Sequence, residues 1–277
     1  MCDMCVDHGD GMQWHFNAAN YARRLYKIRK ESGEATGAEI SGLAGFPQAD
    51  EILELIEALD RGDMDAHESL LREYESKARR EMLGQTLTID EVLRAVEFMY
   101  PIARMTCMCR KITEALPDEE NQTCIGFGPG LYKWERWPET YHGGIEFLHP
   151  DDARELLIEL NKQGFAQIMF TMGTPYIGGL CSCQYPGCLA IRERLDYGIK
   201  GFWKGHDVAR IDPNLCTGCG LCAPRCQFKA MSFDPSRGVA FIDPFRCFGC
   251  GLCVSVCESG AITLERREAI PTLANVW

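Results

Sequence analysis

Apolar residues recur every three or four positions through much of the first hundred residues, and that spacing predicts helices. Phe16–Glu31 carries Tyr21, Leu25 and Ile28 on one face, and Ala49–Leu59 repeats Ile52, Leu53, Ile56 and Leu59. Asp65–Met82 is charged nearly throughout, the pattern of a solvated helix. Thr88-Ile89-Asp90-Glu91 has the hydroxyl-to-carboxylate spacing of a capping box. Val92, Val96 and Met99 follow on one side until Pro101 stops the helix. The glycine-rich stretch Gly33–Phe46 reads as a loop between helices. In the middle segment the pattern becomes mixed. Ile145–Leu148 predicts a short strand, and Pro150 opens a helix over Asp151–Lys162 with Leu156, Leu157 and Leu160. Phe165–Met172 is a β-like apolar run. The expected fold class is α+β. It comprises an N-terminal helical region (1–104), a small mixed α+β unit (105–210) and a C-terminal segment (211–277) governed by cysteine spacing.

A chain of 277 residues suits about two domains, or three small ones. With 46% hydrophobic and 25% charged residues it is an ordinary globular sequence, which excludes disorder. The net charge is -11, with the acidic excess upstream and the C-terminal segment balanced. No basic stripe exists, so nucleic acid is not an expected partner. The longest mostly apolar stretch, Gly164–Leu180, is broken by Gln167, Thr171, Thr174 and Pro175, so no membrane span is expected. The opening residues lack the basic and apolar regions of a signal peptide, which leads to the expectation of a cytoplasmic protein. In a reducing compartment, thiols serve metals or catalysis rather than crosslinks.

That inference matters because the chain has 16 cysteines, and they cluster. Eight lie upstream: Cys2 and Cys5; Cys107, Cys109 and Cys124; Cys181, Cys183 and Cys188. Eight more fill an internal repeat. Ile211-Asp212-Pro213 precedes CTGCGLCAPRC, and Ile242-Asp243-Pro244 precedes CFGCGLCVSVC, 31 residues later. Gly218, Gly220, Leu221 and Ala230 recur as Gly249, Gly251, Leu252 and Ala261. A duplicated unit with one ligand spacing implies two similar sites related by a pseudo-twofold. Each run reads C-x2-C-x2-C-x3-C, a spacing suited to the four thiolates of a [4Fe–4S] cubane. Zinc sites use separated C-x2-C pairs instead.

On these runs, residues 211–264 resemble a bacterial-type ferredoxin domain with two [4Fe–4S] clusters. The resemblance implies a ferredoxin-like fold with two cubanes, in which the fourth cysteine of each run serves the other cluster. One ligand set is then Cys216, Cys219, Cys222 and Cys257; the other is Cys247, Cys250, Cys253 and Cys226. The family usually has proline after the fourth cysteine, where this chain has Gln227 and Glu258. The CMCR, CIGFG and CSCQYPGC stretches resemble larger dicluster ferredoxin-like proteins of anaerobes, covering most of residues 100–264. Related sequences often have a denser cysteine run where Gln184, Tyr185 and Pro186 stand here.

The upstream cysteines suffice by number for one or two further iron–sulfur clusters; zinc and redox-active thiols are the alternatives. Cys107, Cys109, Cys181 and Cys183 are expected near one another, each C-x-C offering two sulfurs from one short segment. Cys124, Cys188, Cys2 and Cys5 form a second site or stay unligated. The partners of the terminal C-x2-C are expected among His8, His15 and the middle cysteines. Gly126-Phe127-Gly128-Pro129-Gly130 is a poor nucleotide loop, His142 is an ordinary surface or core histidine, and Tyr132, Trp134, Trp137 and Trp203 read first as core.

No catalytic residue set is visible. The expected function is single-electron transfer, by a subunit or dedicated partner of a larger anaerobic oxidoreductase, with a redox protein as partner. Two other readings stay open: a reductase with its own site at an upstream cluster or bound flavin, and a redox or iron sensor.

Overall fold

The computed structural model describes residues 3–21, 49–81, 83–114, 121–131, 145–171, 176–274 and 276. Cys2, most of the helix expected over Phe16–Glu31, the Gly33–Phe46 stretch, Tyr132, Trp134, Trp137 and His142 lie outside the described residues.

Short strands separated by helices build one six-stranded antiparallel sheet. The strands are β1 (Gly84–Leu87), β2 (Ile102–Met105), β3 (Cys124–Phe127), β4 (Ile145–Leu148), β5 (Ala166–Phe170) and β6 (Gly179–Cys183), in the order β1-β5-β6-β3-β2-β4. The helices on this part of the chain are α1 (Asp3–His8), α2 (Ala49–Asp60), α3 (Met64–Glu81), α4 (Ile89–Ala95), α5 (Met108–Glu114), α6 (Pro150–Gln163) and α7 (Leu189–Asp196). Strands β1, β3 and β5 are buried along their whole length, as strands covered on both faces must be. Alternation divides the side chains between those faces. Ile102, Ile125, Phe127, Met169 and Leu180 pack toward α4, α6 and the N-terminal Met4 and Trp14. Ala103, Met105, Ala166, Ile168, Phe170 and Cys183 pack toward the opposite face, with α7 and the C-terminal segment.

The helix signals are mostly realised. Thr88 caps α4: its hydroxyl accepts from Glu91 N, while Glu91 Oε2 accepts from Thr88 N at 2.9 Å. Pro150 stands in the first turn of α6, and left-handed Gly164 (φ 101°) ends it. The polar helix expected over Asp65–Met82 is α3, which forms an antiparallel pair with α2 and joins it in a small core of Leu55, Tyr74 and Ile199.

Two differences have identifiable physical causes. From Phe16 the described chain forms 3₁₀ turns, Trp14–Phe16 and Ala18–Tyr21, instead of an α-helix. Asparagine side chains compete for the backbone there. Asn17 Nδ2 donates to His8 O at 3.0 Å, and Asn20 Nδ2 donates to Trp14 O at 2.7 Å. Secondly, β1 and all but the last residue of β2 fall within residues 1–104, which the periodicity presents as helical, yet the two strands pair with β5 and with β3 and β4. Buried Gln85 and Thr86 give β1 no apolar signature; Gln85 instead accepts from Trp14 Nε1 at 2.7 Å and donates to Lys204 O at 3.0 Å.

The C-terminal segment is built from two two-stranded antiparallel sheets. β7 (Asp207–Ile211) pairs antiparallel with β10 (Ile262–Arg266), and β8 (Met231–Asp234) pairs with β9 (Val239–Ile242); one helical turn, α8 (Cys222–Arg225), lies between β7 and β8.

Leu157 on α6 is fully buried against the sheet, whereas its neighbour Ile158 is 37% exposed. Leu157→Ala is expected to lower the unfolding free energy by roughly 3 kcal/mol in chemical denaturation. Ile158→Ala is expected to change it by less than about 0.5 kcal/mol.

Candidate metal centres

The duplicated sequence folds with duplicated geometry. Gly218 and Gly249 have φ of 69° and 70°, and Gly220 and Gly251 have 77° and 78°. A Cβ at Gly218 would lie 2.2 Å from Gly238 O, and one at Gly249 2.0 Å from Asp207 O, so both left-handed conformation and close backbone approach demand glycine. The two halves also exchange contacts. Asp212 N donates to Ala261 O and Asp243 N to Ala230 O, each at 2.8 Å. Ala240 N points at Cys216 Sγ and Ala209 N at Cys247 Sγ, each at 3.5 Å. Each first cysteine is thus held by the strand preceding the other one.

The sulfurs gather accordingly. The thiols whose charge acts on Cys222 are Cys216, Cys219 and Cys257. Those acting on Cys250 are Cys253, Cys226 and Cys247. Burial pushes Cys250 well above the usual thiol range and Cys253 up to about 12, with the neighbouring sulfurs adding to the effect. Thiols crowded this way stay protonated until a cation replaces the protons. The donor set, the glycine cradle and the inward N–H groups fit a thiolate-bound iron–sulfur cluster in each half.

The six middle cysteines form one ring. Cys181 and Cys183, two apart on β6, share its C-terminal-segment face, and Cys124 stands opposite Cys181 across the β3–β6 ladder. Cys124 Sγ and Cys181 Sγ are 3.9 Å apart. Cys107 and Cys109 sit at the start of α5, held there by a clamp in which Cys107 N donates to Asn121 O and Asn121 Nδ2 donates to Cys107 O. Cys188 precedes α7. Side-chain contacts then run Cys107–Cys109–Cys188–Cys183–Cys181–Cys124 and back to Cys107. Around this ring, lowered and raised thiols alternate. Contacts from Cys109 and Cys124 pull Cys107 well down, contacts from Cys124 and Cys183 pull Cys181 to about 6, and contacts from Cys109 and Cys183 pull Cys188 down. The same contacts drive Cys109, Cys124 and Cys183 up. Cys107, Cys109, Cys181 and Cys183 therefore lie together, and Cys124 and Cys188 complete the same ring instead of joining Cys5.

An apolar layer connects the ring to the repeat. Cys183 and Cys188 share a core cluster with Phe202, Phe228 and Phe248, against which Cys226 and Cys250 pack. Phe228 and Phe248 stack with centroids 4.1 Å apart. The flanks of Cys226 are stitched across the same boundary. Arg225 donates to Asn161 O at 2.9 Å and also to Lys162 O. Gln227 accepts from Tyr185 N at 2.8 Å and donates to Gly164 O at 2.9 Å. Sequence reasoning marks Gln227 only as a departure from a usual proline; its contacts explain it.

Cys5 lies elsewhere. Its Sγ is 3.2 Å from His206 Nε2 and receives Trp14 N at 3.4 Å. On the other edge of the His206 ring, Nδ1 is 3.7 Å from Glu91 Oε1, which is 3.8 Å from His15 Nε2. His15, Glu91 and His206 are all buried, with ligand atoms within 4.8 Å of one another. Burial holds His15 neutral, with its pKa lowered to about 3. The sequence gives Glu91 only a capping role and gives His206 none, because residues so distant in the chain show no shared spacing. His8 is buried beside this segment, its carbonyl accepting from Asn17 and Asn20. Gly126–Gly130 forms the end of β3 and a 3₁₀ turn, with Gly130 packed on the Gly178 backbone. Trp203 is core, as its composition suggests.

Residues 209–264 match the family model of the 4Fe-4S dicluster domain. The match supports an iron–sulfur electron-transfer role for the chain. No curated protein and no solved structure matches it. Among the described residues, no helix is long and apolar enough to cross a membrane.

Gln227→Ala removes both bonds that join the repeat to residues 164 and 185. It is expected to cost about 2 kcal/mol of unfolding free energy, measured by denaturant titration, while visible absorption shows unchanged iron–sulfur content.

Proposed function

We propose that this chain relays single electrons between the two clusters of its C-terminal dicluster domain and a further iron–sulfur centre at the six-cysteine ring. It would serve as a subunit or dedicated partner of a larger oxidoreductase. The observation that carries this reading is the packing of Phe202, Phe228 and Phe248 between the ring cysteines and Cys226 and Cys250. When bound, such clusters supply one-electron redox chemistry.

The chain's own residues do the rest. Cys216, Cys219, Cys222 and Cys257 hold one dicluster site; Cys247, Cys250, Cys253 and Cys226 hold the other. Four of the ring cysteines, Cys107, Cys109, Cys181 and Cys183, hold the further centre, with Cys124 and Cys188 closing the sulfur wall around it. Ala209 and Ala240 N–H groups stabilise thiolate charge at Cys247 and Cys216. The aromatic layer keeps water from the path between ring and repeat. Arg225 and Gln227 fix the distance across that path, so the relay is a rigid unit. On the outside, Glu54, Glu57, Asp60, Asp63, Asp65 and Glu68 are exposed on the α2–α3 pair. Such a field steers a basic redox partner toward this face.

Anaerobically prepared protein is expected to contain about twelve iron atoms per chain, four for each of three cubanes. Cys181→Ser with Cys183→Ser is expected to lower that by about four. Unchanged iron in the double variant, or about eight in the wild type, would reject the third centre while leaving the dicluster domain intact.

Cys226→Ser is expected to damage the cluster shared with Cys247, Cys250 and Cys253 and to spare the other, as resolved by electron paramagnetic resonance of the reduced protein. Equal damage to both, or damage confined to the cluster of Cys216, Cys219 and Cys222, would overturn the crossed ligand sets.

A further inference from the structure

We propose that His15, Glu91 and His206 form a buried mononuclear site for a divalent first-row transition metal, separate from any iron–sulfur centre. The three residues come from the N-terminal segment, α4 and the residue before β7. None shares a sequence motif with another, yet their ligand atoms converge within 4.8 Å.

Hydrogen bonding alone does not account for the arrangement. Glu91 Oε1 stands 3.8 Å from His15 Nε2 and 3.7 Å from His206 Nδ1, beyond the donor–acceptor range. His15 is fully buried, and neither of its ring nitrogens makes a hydrogen bond. Two ligands each about 2.1 Å from a zinc ion stand roughly 3.4 Å apart at the tetrahedral angle. The observed separations are therefore close to those of atoms sharing one ion. Two imidazoles and a carboxylate suit zinc or iron(II).

The surroundings have the features of a built site. Metal-bound histidines typically hand their second ring nitrogen to a partner, and ligating carboxylates are themselves hydrogen-bonded. His206 Nε2 faces Cys5 Sγ at 3.2 Å. With that nitrogen protonated, Nδ1 turns a lone pair toward Glu91. Glu91 Oε1 accepts from Gln13 Nε2 at 3.1 Å, and Oε2 is fixed by the capping box, with Thr88 N at 2.9 Å. Beyond His206, Arg267 N donates to His206 O and Arg267 Nη2 donates to Cys247 O at 2.9 Å. An ion here staples the first residues of the chain to α4 and to the strand beside Cys247.

The test uses the full chain with its iron–sulfur centres loaded, so that its thiols are occupied, dialysed against zinc. One zinc per chain is expected, and its X-ray absorption edge is expected to show a nitrogen and oxygen shell at about 2.0–2.1 Å with imidazole scattering. His15→Ala and His206→Ala are expected to lose that zinc while visible absorption and iron content persist. Cys5→Ala is expected to retain it with affinity lowered about 10–100-fold, the usual effect of removing such a supporting partner. Should the histidine variants fail to fold, the wild-type spectrum decides alone. Absence of bound zinc, a shell of sulfur at about 2.3 Å, or imidazole-bound zinc unchanged in folded His15→Ala would each overturn the site.

Discussion

A sulfur buried away from water holds negative charge only beside something positive or a hydrogen-bond donor. This chain gathers fourteen cysteines into three such neighbourhoods, two in the repeat and one in the ring. Much of the architecture serves that crowding. The ring exists because β6 places residues two apart on one face, because β3 pairs Cys124 with Cys181, and because α5 and α7 both begin at the same edge. Its alternation of raised and lowered thiols follows from each sulfur's contacts with its two ring neighbours. Each one that leans toward the thiolate depends on neighbours that keep their protons.

What could be read from the sequence follows how local each determinant is. The C-terminal cysteines lie in runs, so spacing alone reveals them, and the 31-residue offset announces the pseudo-twofold. The capping box at Thr88 and the Pro150 helix start are equally local, and both form. The sheet was less legible. β1 is the polar string Gly84–Leu87, stabilised by Trp14, Lys204 and Trp203 from remote parts of the chain, and no window of residues contains that information. At Phe16 the helical period is genuine, but Asn17 and Asn20 redirect the backbone over the described residues. The convergence of His15, Glu91 and His206 lies still further beyond periodicity, since tertiary packing alone joins them.

Among the middle cysteines, the proximity of the two C-x-C segments was legible because they bracket one α+β unit. The completion of the ring by Cys124 and Cys188 was not, because it needs the strand register and the direction of α7. Gln227 shows a similar limit. As a letter in an alignment position it weakens a pattern; as a side chain it carries the repeat against Gly164 and Tyr185.

That side chain also breaks the symmetry of the duplication. Its repeat-mate Glu258 is exposed, and among the described residues no comparable pair of side-chain bonds ties Cys257 to the sheet. One cysteine set therefore abuts the aromatic layer, with Cys247 and Cys253 buried, whereas the other has Cys219 at the surface. A low-dielectric setting opposes the extra negative charge of a reduced cluster, and solvent relieves it. Clusters held by these two sets of identical ligands would therefore differ in redox potential. The wet end would take up an electron more readily than the enclosed one, giving an energetic slope to a sequence that duplication alone would have left level.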